Sequence, residues 1–119
     1  EGVNEKMAEF INPIAILGEQ MTKFTTEIGF KGMQNPDEVG AAAVDYLRVA
    51  GHLVFGYLFA RMAQVSLRAI ANGSTDPFYT AKLQTARFYF AKLFPETVLL
   101  MRTARAGSKV LMDTDAALA

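Results

Sequence analysis

The sequence predicts an all-α protein, an antiparallel up-down-up bundle of three long helices. Three observations predict it. Apolar residues recur at alternating three- and four-residue steps over three long stretches, which keeps them on one side of each helix. Two short segments rich in cap and turn residues separate those stretches. No stretch alternates with period two for long enough to form a strand. Helices of similar length joined by short turns must run antiparallel, so the bundle follows. It counts as four or five helices if Pro13 and Pro95 break the first and third.

The first helix, roughly 4–33, presents Met7, Phe10, Ile14, Leu17, Met21, Phe24 and Ile28 on one face. Pro13 lies inside that pattern; it kinks the helix, or the main helix starts there with Asn12 as its cap. In the break 33–38, Asn35 can cap and Pro36 fits a first helical turn, with Asp37 and Glu38 behind it. The second helix, roughly 36–72, shows Val39, Ala43, Tyr46, Ala50, Leu53, Tyr57, Ala60, Gln64, Leu67 and Ala71 at the same steps. Asn72-Gly73 closes it, and Asp76 caps the third helix with Pro77 at its first position. That helix, roughly 77–112, shows Tyr79, Leu83, Ala86, Phe90, Leu93, Thr97, Leu100, Ala104, Gly107 and Leu111, with Pro95 bending it near 91–95.

Composition narrows the function classes. At 119 residues, 51% hydrophobic and 20% charged, the chain fits a single globular domain, 1–119. Twelve basic and 12 acidic residues give a net charge of zero, without the basic footprint of a nucleic-acid binder. With no cysteine there is no disulfide, thiolate metal site or thiol nucleophile. The first residues lack the basic start and apolar run of a signal peptide, which points to the cytoplasm. The uncharged stretch between Arg48 and Arg61 is shorter than the roughly 20 residues a membrane span needs. Residue 1 is not methionine, which reads as a trimmed boundary rather than a processing site.

Chemistry-bearing residues are sparse. His52 is the only histidine and reads as a surface side chain, since no Glu-x-x-His pair exists to hold a metal. Nothing marks Ser66, Ser74 or Ser108 as an activated nucleophile. Glu96 follows Pro95 at a bend, Glu5 and Glu9 share one exposed turn, and Asp113 and Asp115 sit in the tail. Arg102, Arg105 and Lys109 form a basic edge near a helix C-terminus, where the dipole favours them. No catalytic, cofactor or metal residue is expected in this chain.

Two segments are too apolar for a simple bundle. Residues 53–60, LVFGYLFA, are apolar on every face, and 88–94, FYFAKLF, crowd aromatics together. Phe55 and Phe59 continue a stripe that starts with Asp45, Arg48 and His52, so an outward polar edge turns apolar halfway along. The surplus predicts a docking surface, unless repacking around kinks absorbs it. The residues expected there are Phe55, Phe59, Phe88, Tyr89 and Phe94, with Arg102 and Arg105 as a polar rim.

Asp76-Pro77, Ala81-Lys82-Leu83, Thr85 to Tyr89, Arg105-Ala106-Gly107 and Leu111-Met112 follow a known pattern. Tyr46-Leu47-Arg48 and Gly56-Tyr57 fit its long middle helix. Together they resemble the acyl-CoA dehydrogenase C-terminal-like domain, well over 36–113 and loosely over the first helix. That domain ends a subgroup of flavoenzymes that includes ones similar to methylthiopropionyl-CoA dehydrogenase. The resemblance implies a C-terminal fragment of a larger protein that uses FAD to desaturate an acyl-CoA between its α and β carbons. It implies as partners the rest of the dehydrogenase, its acyl-CoA and further copies of the same subunit. The family's glutamate base lies in a Tyr-Glu-Gly-Thr stretch, which Glu1-Gly2 does not continue, so no catalytic residue carries over. A stand-alone helical oligomerisation module is the competing reading.

Overall fold

The computed structural model describes residues 2–112. They form α1 (Gly2–Lys6), α2 (Ala8–Gln34), α3 (Asp37–Ala71), α4 (Pro77–Phe88), a π-helical turn (Tyr89–Leu93), α5 (Glu96–Ala104) and α6 (Lys109–Met112), with no strand among them. The expected all-α class and its three rods are present. α1 and α2 make the first, α3 the second, and α4 through α5 the third.

The turns form as their residues dictate. Asn35 Oδ1 accepts the Asp37 N–H at 3.1 Å and starts α3. Gly73, at φ 94°, ends α3, with the Ser74 N–H reaching back to the Ala69 carbonyl at 3.0 Å in a Schellman closure. Asp76 accepts the Phe78 N–H at 2.9 Å and puts Pro77 in the first turn of α4.

Contacts between rods define the topology. Asp45 meets Thr103, His52 meets Glu96 and Phe59 stacks on Tyr89; each pair adds to the same total, as a hairpin folded about Ser74 requires. Phe24 with Tyr46 and Ile14 with Gly56 obey the same rule about Asn35. The Glu9–Arg87 and Glu27–Arg105 pairs share a separation of 78 residues, so the first and third rods run parallel.

α3 therefore lies between two neighbours. Ala42, Val49, Gly56, Ala60, Ala63 and Leu67 are among its buried residues; Ala60 and Leu67 belong to the series from Val39 to Ala71 that periodicity favours, and Tyr46, Ala50 and Leu53 of that series are partly buried against the core. Val39, Ala43, Tyr57 and Ala71 of that expected series are exposed. The reason is that α3 spreads apolar residues around its circumference, on every face over 53–60, while its polar stripe of Asp45, Arg48 and His52 faces a neighbouring rod, so its own periodicity cannot choose the inward direction. Where it passes closest to both neighbours the residue is Gly56; a Cβ there would lie 3.1 Å from Phe94 and 3.4 Å from Ile14.

The core has two lobes. One gathers Leu17, Met21, Phe24, Val49, Tyr89, Phe94 and Met101; the other holds Met7, Phe10, Leu67 and Leu83. Phe59 and Phe90 pack against both and join them at the π turn.

Three local expectations need correction. Pro13 does not break the first helix: it lies inside α2, near its start, and the irregularity falls at Met7. It forfeits the bond to the Glu9 carbonyl on an exposed turn, where water can replace it. The third rod ends at Ala104, and Gly107, at φ 85°, turns the chain into α6. Leu111 is consequently exposed rather than in the third helix's seam. Finally, the seam runs Leu83, Ala86, Tyr89, Phe94, Thr97, Leu100, and its five-residue step is carried by the π turn's Phe94 N–H to Tyr89 carbonyl bond at 2.9 Å. Leu93, expected inside, is left outside.

Candidate functional site: a polar groove beside an uncovered helix face

The π turn lays Tyr89, Lys92, Leu93 and Glu96 along one side of the third rod. Opposite them stand Arg48, Gly51, His52 and Phe55 of α3, and the two walls enclose a groove of ≈ 490 Å³. Both sets follow helical spacing, one turn to the next, so two antiparallel rods suffice to build the groove.

A hydrogen-bonded chain crosses its floor. His52 Nε2 lies 2.8 Å from Glu96 Oε1, and Arg48 Nη2 donates to both Glu96 oxygens at 3.0 and 3.1 Å. His52 Nδ1 lies 2.9 Å from the Tyr89 hydroxyl, which is also 3.1 Å from the His52 carbonyl. Since the ionised carboxylate only accepts, Nε2 carries a proton. Nδ1 then accepts from the phenol in the neutral ring, or donates to it in the charged ring while the phenol turns to the carbonyl.

Electrostatics fixes the charge states of the ends. The hydrogen bonds from His52 and then Arg48 hold the Glu96 carboxyl below its ordinary value. Burial, followed by the Glu96 charge, pushes the Tyr89 phenol up to about 12. At neutral pH the phenol is protonated and Glu96 is ionised. The charged and polar lining, Arg48, His52, Lys92 and Glu96, can hold a polar or charged group by hydrogen bonds and charge.

Glu96 also gives the domain an acid limit. Its depressed carboxyl contributes stability above the unfolded pKa, which is lost as pH falls through the folded one. Glu38 adds in the same direction, its carboxyl lowered by hydrogen bonds from the Ser108 hydroxyl and N–H that clamp α6 to the start of α3. Melting temperature measured from pH 7 to pH 3 is therefore expected to fall more steeply for the native chain than for Glu96→Gln. Parallel curves would remove Glu96 from this role.

Beside the groove lies a second feature. On the outward side of α3, Val44, Leu47, Val54, Leu58 and Val65 are all exposed, with Phe55 at the groove's edge. On its other flank an apolar groove of ≈ 600 Å³ runs between α2 and α3, lined by Ile28, Val39, Ala43, Leu47 and Ala50 among others. α3 thus presents an oily ridge between two furrows.

The family model described as acetyl-CoA dehydrogenase C-terminal like matches residues 1–115. The chain belongs to that family. No curated protein matches it.

In this acetyl-CoA dehydrogenase C-terminal-like domain the residues expected at a docking surface divide. Phe55 and Phe88 are on the surface, 56% and 59% exposed. Tyr89 and Phe94 are not: at 4% and 7% exposure they fill the domain's own core, because the π turn rotates them inward. Phe59 is half-buried, its ring stacked on Tyr89 at 4.5 Å. Arg105 is occupied within the domain, 3.4 Å from Glu27 and with its guanidinium 5.1 Å from the Phe24 ring centre. Arg102 is exposed and makes no ion pair among the described residues.

The stripe of Asp45, Arg48, His52, Phe55 and Phe59 was expected to point outward; it faces the third rod. His52, read as a surface side chain, is the centre of the polar chain, and Glu96, read only as a bend residue, anchors it. Hairpin arithmetic about Ser74 would have paired His52 with Glu96 from sequence. Glu1, Asp113 and Asp115 lie outside the described residues.

Among the described residues no group of three or more metal-ligating side chains comes together. Neither positive-φ glycine makes a nucleotide cradle, since Gly73 closes α3 and Gly107 lies against Glu38. Among the described helices only α3 is long and apolar enough to cross a membrane by length and composition. The charge-free stretch considered from sequence was too short; the longer window passes because it tolerates a charged residue or two.

Proposed function

We propose that this chain is the C-terminal helical domain of an FAD-dependent acyl-CoA dehydrogenase and that its part in the enzyme is structural. The flavin, the acyl-CoA and the glutamate base belong to the rest of the parent. Membership of the family supports the setting, and one observation carries the structural role: the uncovered apolar ridge of α3. From Val44 to Val65 that ridge runs about 32 Å at the α-helical rise.

Size supports the same reading. The radius of gyration is 19.1 Å, whereas a compact chain of this length has about 13.5 Å. The accessible surface is 8094 Å², roughly 1,700 Å² above that of a compact monomer of the same mass. A surplus of that order suits a domain that shares an interface with a larger body.

The test uses the full-length protein with Leu47→Glu and Leu58→Glu together. Each leucine contributes roughly 1.5–3 kcal/mol if buried, and the new carboxylates would have to be desolvated against the body. The variant is expected to lose the native assembly on size exclusion and to expose the α2–α3 turn to protease. The isolated chain, in which both side chains face water, should melt unchanged. Native assembly in the double variant would overturn the docking role. If instead the isolated wild-type chain dimerises and Leu58→Glu dissociates it, the stand-alone oligomerisation module is the correct reading.

A further inference from the structure

We propose that the groove between α3 and the π turn is a binding site for a small organic monocarboxylate with a flat or aliphatic body. This goes beyond the structural role, since it gives the domain a ligand of its own. The charges select the head group. Arg48 and Lys92 stand in the groove against one carboxylate, Glu96. Those three groups leave one surplus positive charge, which a monocarboxylate neutralises. Arg48 uses only Nη2 on Glu96, so among the described residues its Nη1 and Nε donors have no protein partner and are free to bind a ligand. Lys92 makes no ion pair among the described residues. The two cations come from opposite walls of one groove, so each can reach an anion held in it.

The body of the ligand is selected by the remaining lining. Phe55 and Leu93 are large apolar side chains left exposed at the groove. Gly51 leaves open space in the groove, since a Cβ placed there would meet nothing within 4 Å. Apolar side chains with a few fixed polar groups are the usual make-up of a small-molecule site, and ≈ 490 Å³ falls within the usual range of roughly 300–1,000 Å³. The π turn supports the assignment, because such turns recur at functional sites and this one sets Lys92 and Leu93 at the groove while sending Tyr89 beneath it.

The experiment is an NMR titration of the full chain with 3-phenylpropionate, acetate and 3-phenylpropanol. Acetate carries the head alone and phenylpropanol the body alone. Phenylpropionate is expected to saturate the amide shifts of Gly51, His52 and Lys92 and to bind at least tenfold tighter than either half. Gly51→Leu puts a side chain into the open space of the groove, where the added Cβ meets nothing within 4 Å, and should abolish binding with the helical circular dichroism intact. Lys92→Gln, which leaves the Arg48–Glu96–His52 chain whole, should weaken phenylpropionate about tenfold and leave phenylpropanol unchanged. No saturable shifts, shifts located elsewhere, or binding that survives both substitutions would overturn the proposal.

Discussion

Tyr89→Ala is expected to destabilise the domain by about 3–5 kcal/mol, the range for emptying a buried aromatic site. Tyr89 touches nearly everything that joins the two core lobes. Its ring stacks on Phe59 at 4.5 Å and meets Phe90 at 5.3 Å and Phe94 at 6.0 Å. Its hydroxyl serves both the His52 ring and the His52 carbonyl. Alanine leaves a hole bounded by three rings that helix packing cannot close, and His52 loses the partner of one nitrogen. Tyr89→Phe keeps the packing and removes only the hydroxyl, so about 1 kcal/mol is expected. Denaturant melts of both variants separate the terms. A Tyr89→Ala loss no larger than that of Tyr89→Phe would mean that the stacked rings carry little of the stability.

Phe24→Ala should cost a similar amount, about 3–5 kcal/mol, by a different route. Phe24 has no exposed surface and joins all three rods. It sits on α2, faces Tyr46 of α3 at 6.1 Å, and lies under the guanidinium of Arg105 from the end of α5. The substitution removes buried area and also the aromatic face that holds Arg105, whose pairing with Glu27 then rests on one long hydrogen bond of 3.4 Å. The thermal midpoint should drop on the order of 15 °C. Because Phe24 and Tyr89 lie in the same lobe, the double variant should fall short of the sum of the two losses. Full additivity would show that the lobe is not one cooperative unit.

The reading of the first helix was direct, because its apolar residues occupy one face. Met7, Phe10, Leu17, Met21 and Phe24 are buried, and Ile14 and Ile28 are partly so. Caps at Asn35 and Asp76 and the turn at Gly73 were equally legible, since each rests on a local bond or a local φ requirement. The polar groove was not. Arg48 and His52 stand one turn apart on α3, while Tyr89 and Glu96 lie nearly two turns apart on another helix. Nothing local marks them as a set. Only the pairing of antiparallel rods makes neighbours of His52 and Glu96.

Three rods, their turns and the inward face of the first follow from residue order alone, because helix periodicity and capping are properties of neighbouring residues. Tertiary structure decided which way α3 faces and which aromatics were consumed. α3 carries apolar residues on every side, so the positions of its two neighbours choose Ala42, Val49 and Gly56 for the interior and leave Leu47, Val54 and Leu58 bare. The five-residue step from Tyr89 to Phe94 has the same origin. An α-helix advances its seam by three or four residues, and only packing against Phe59 and Gly56 repays the odd turn that takes both rings inside.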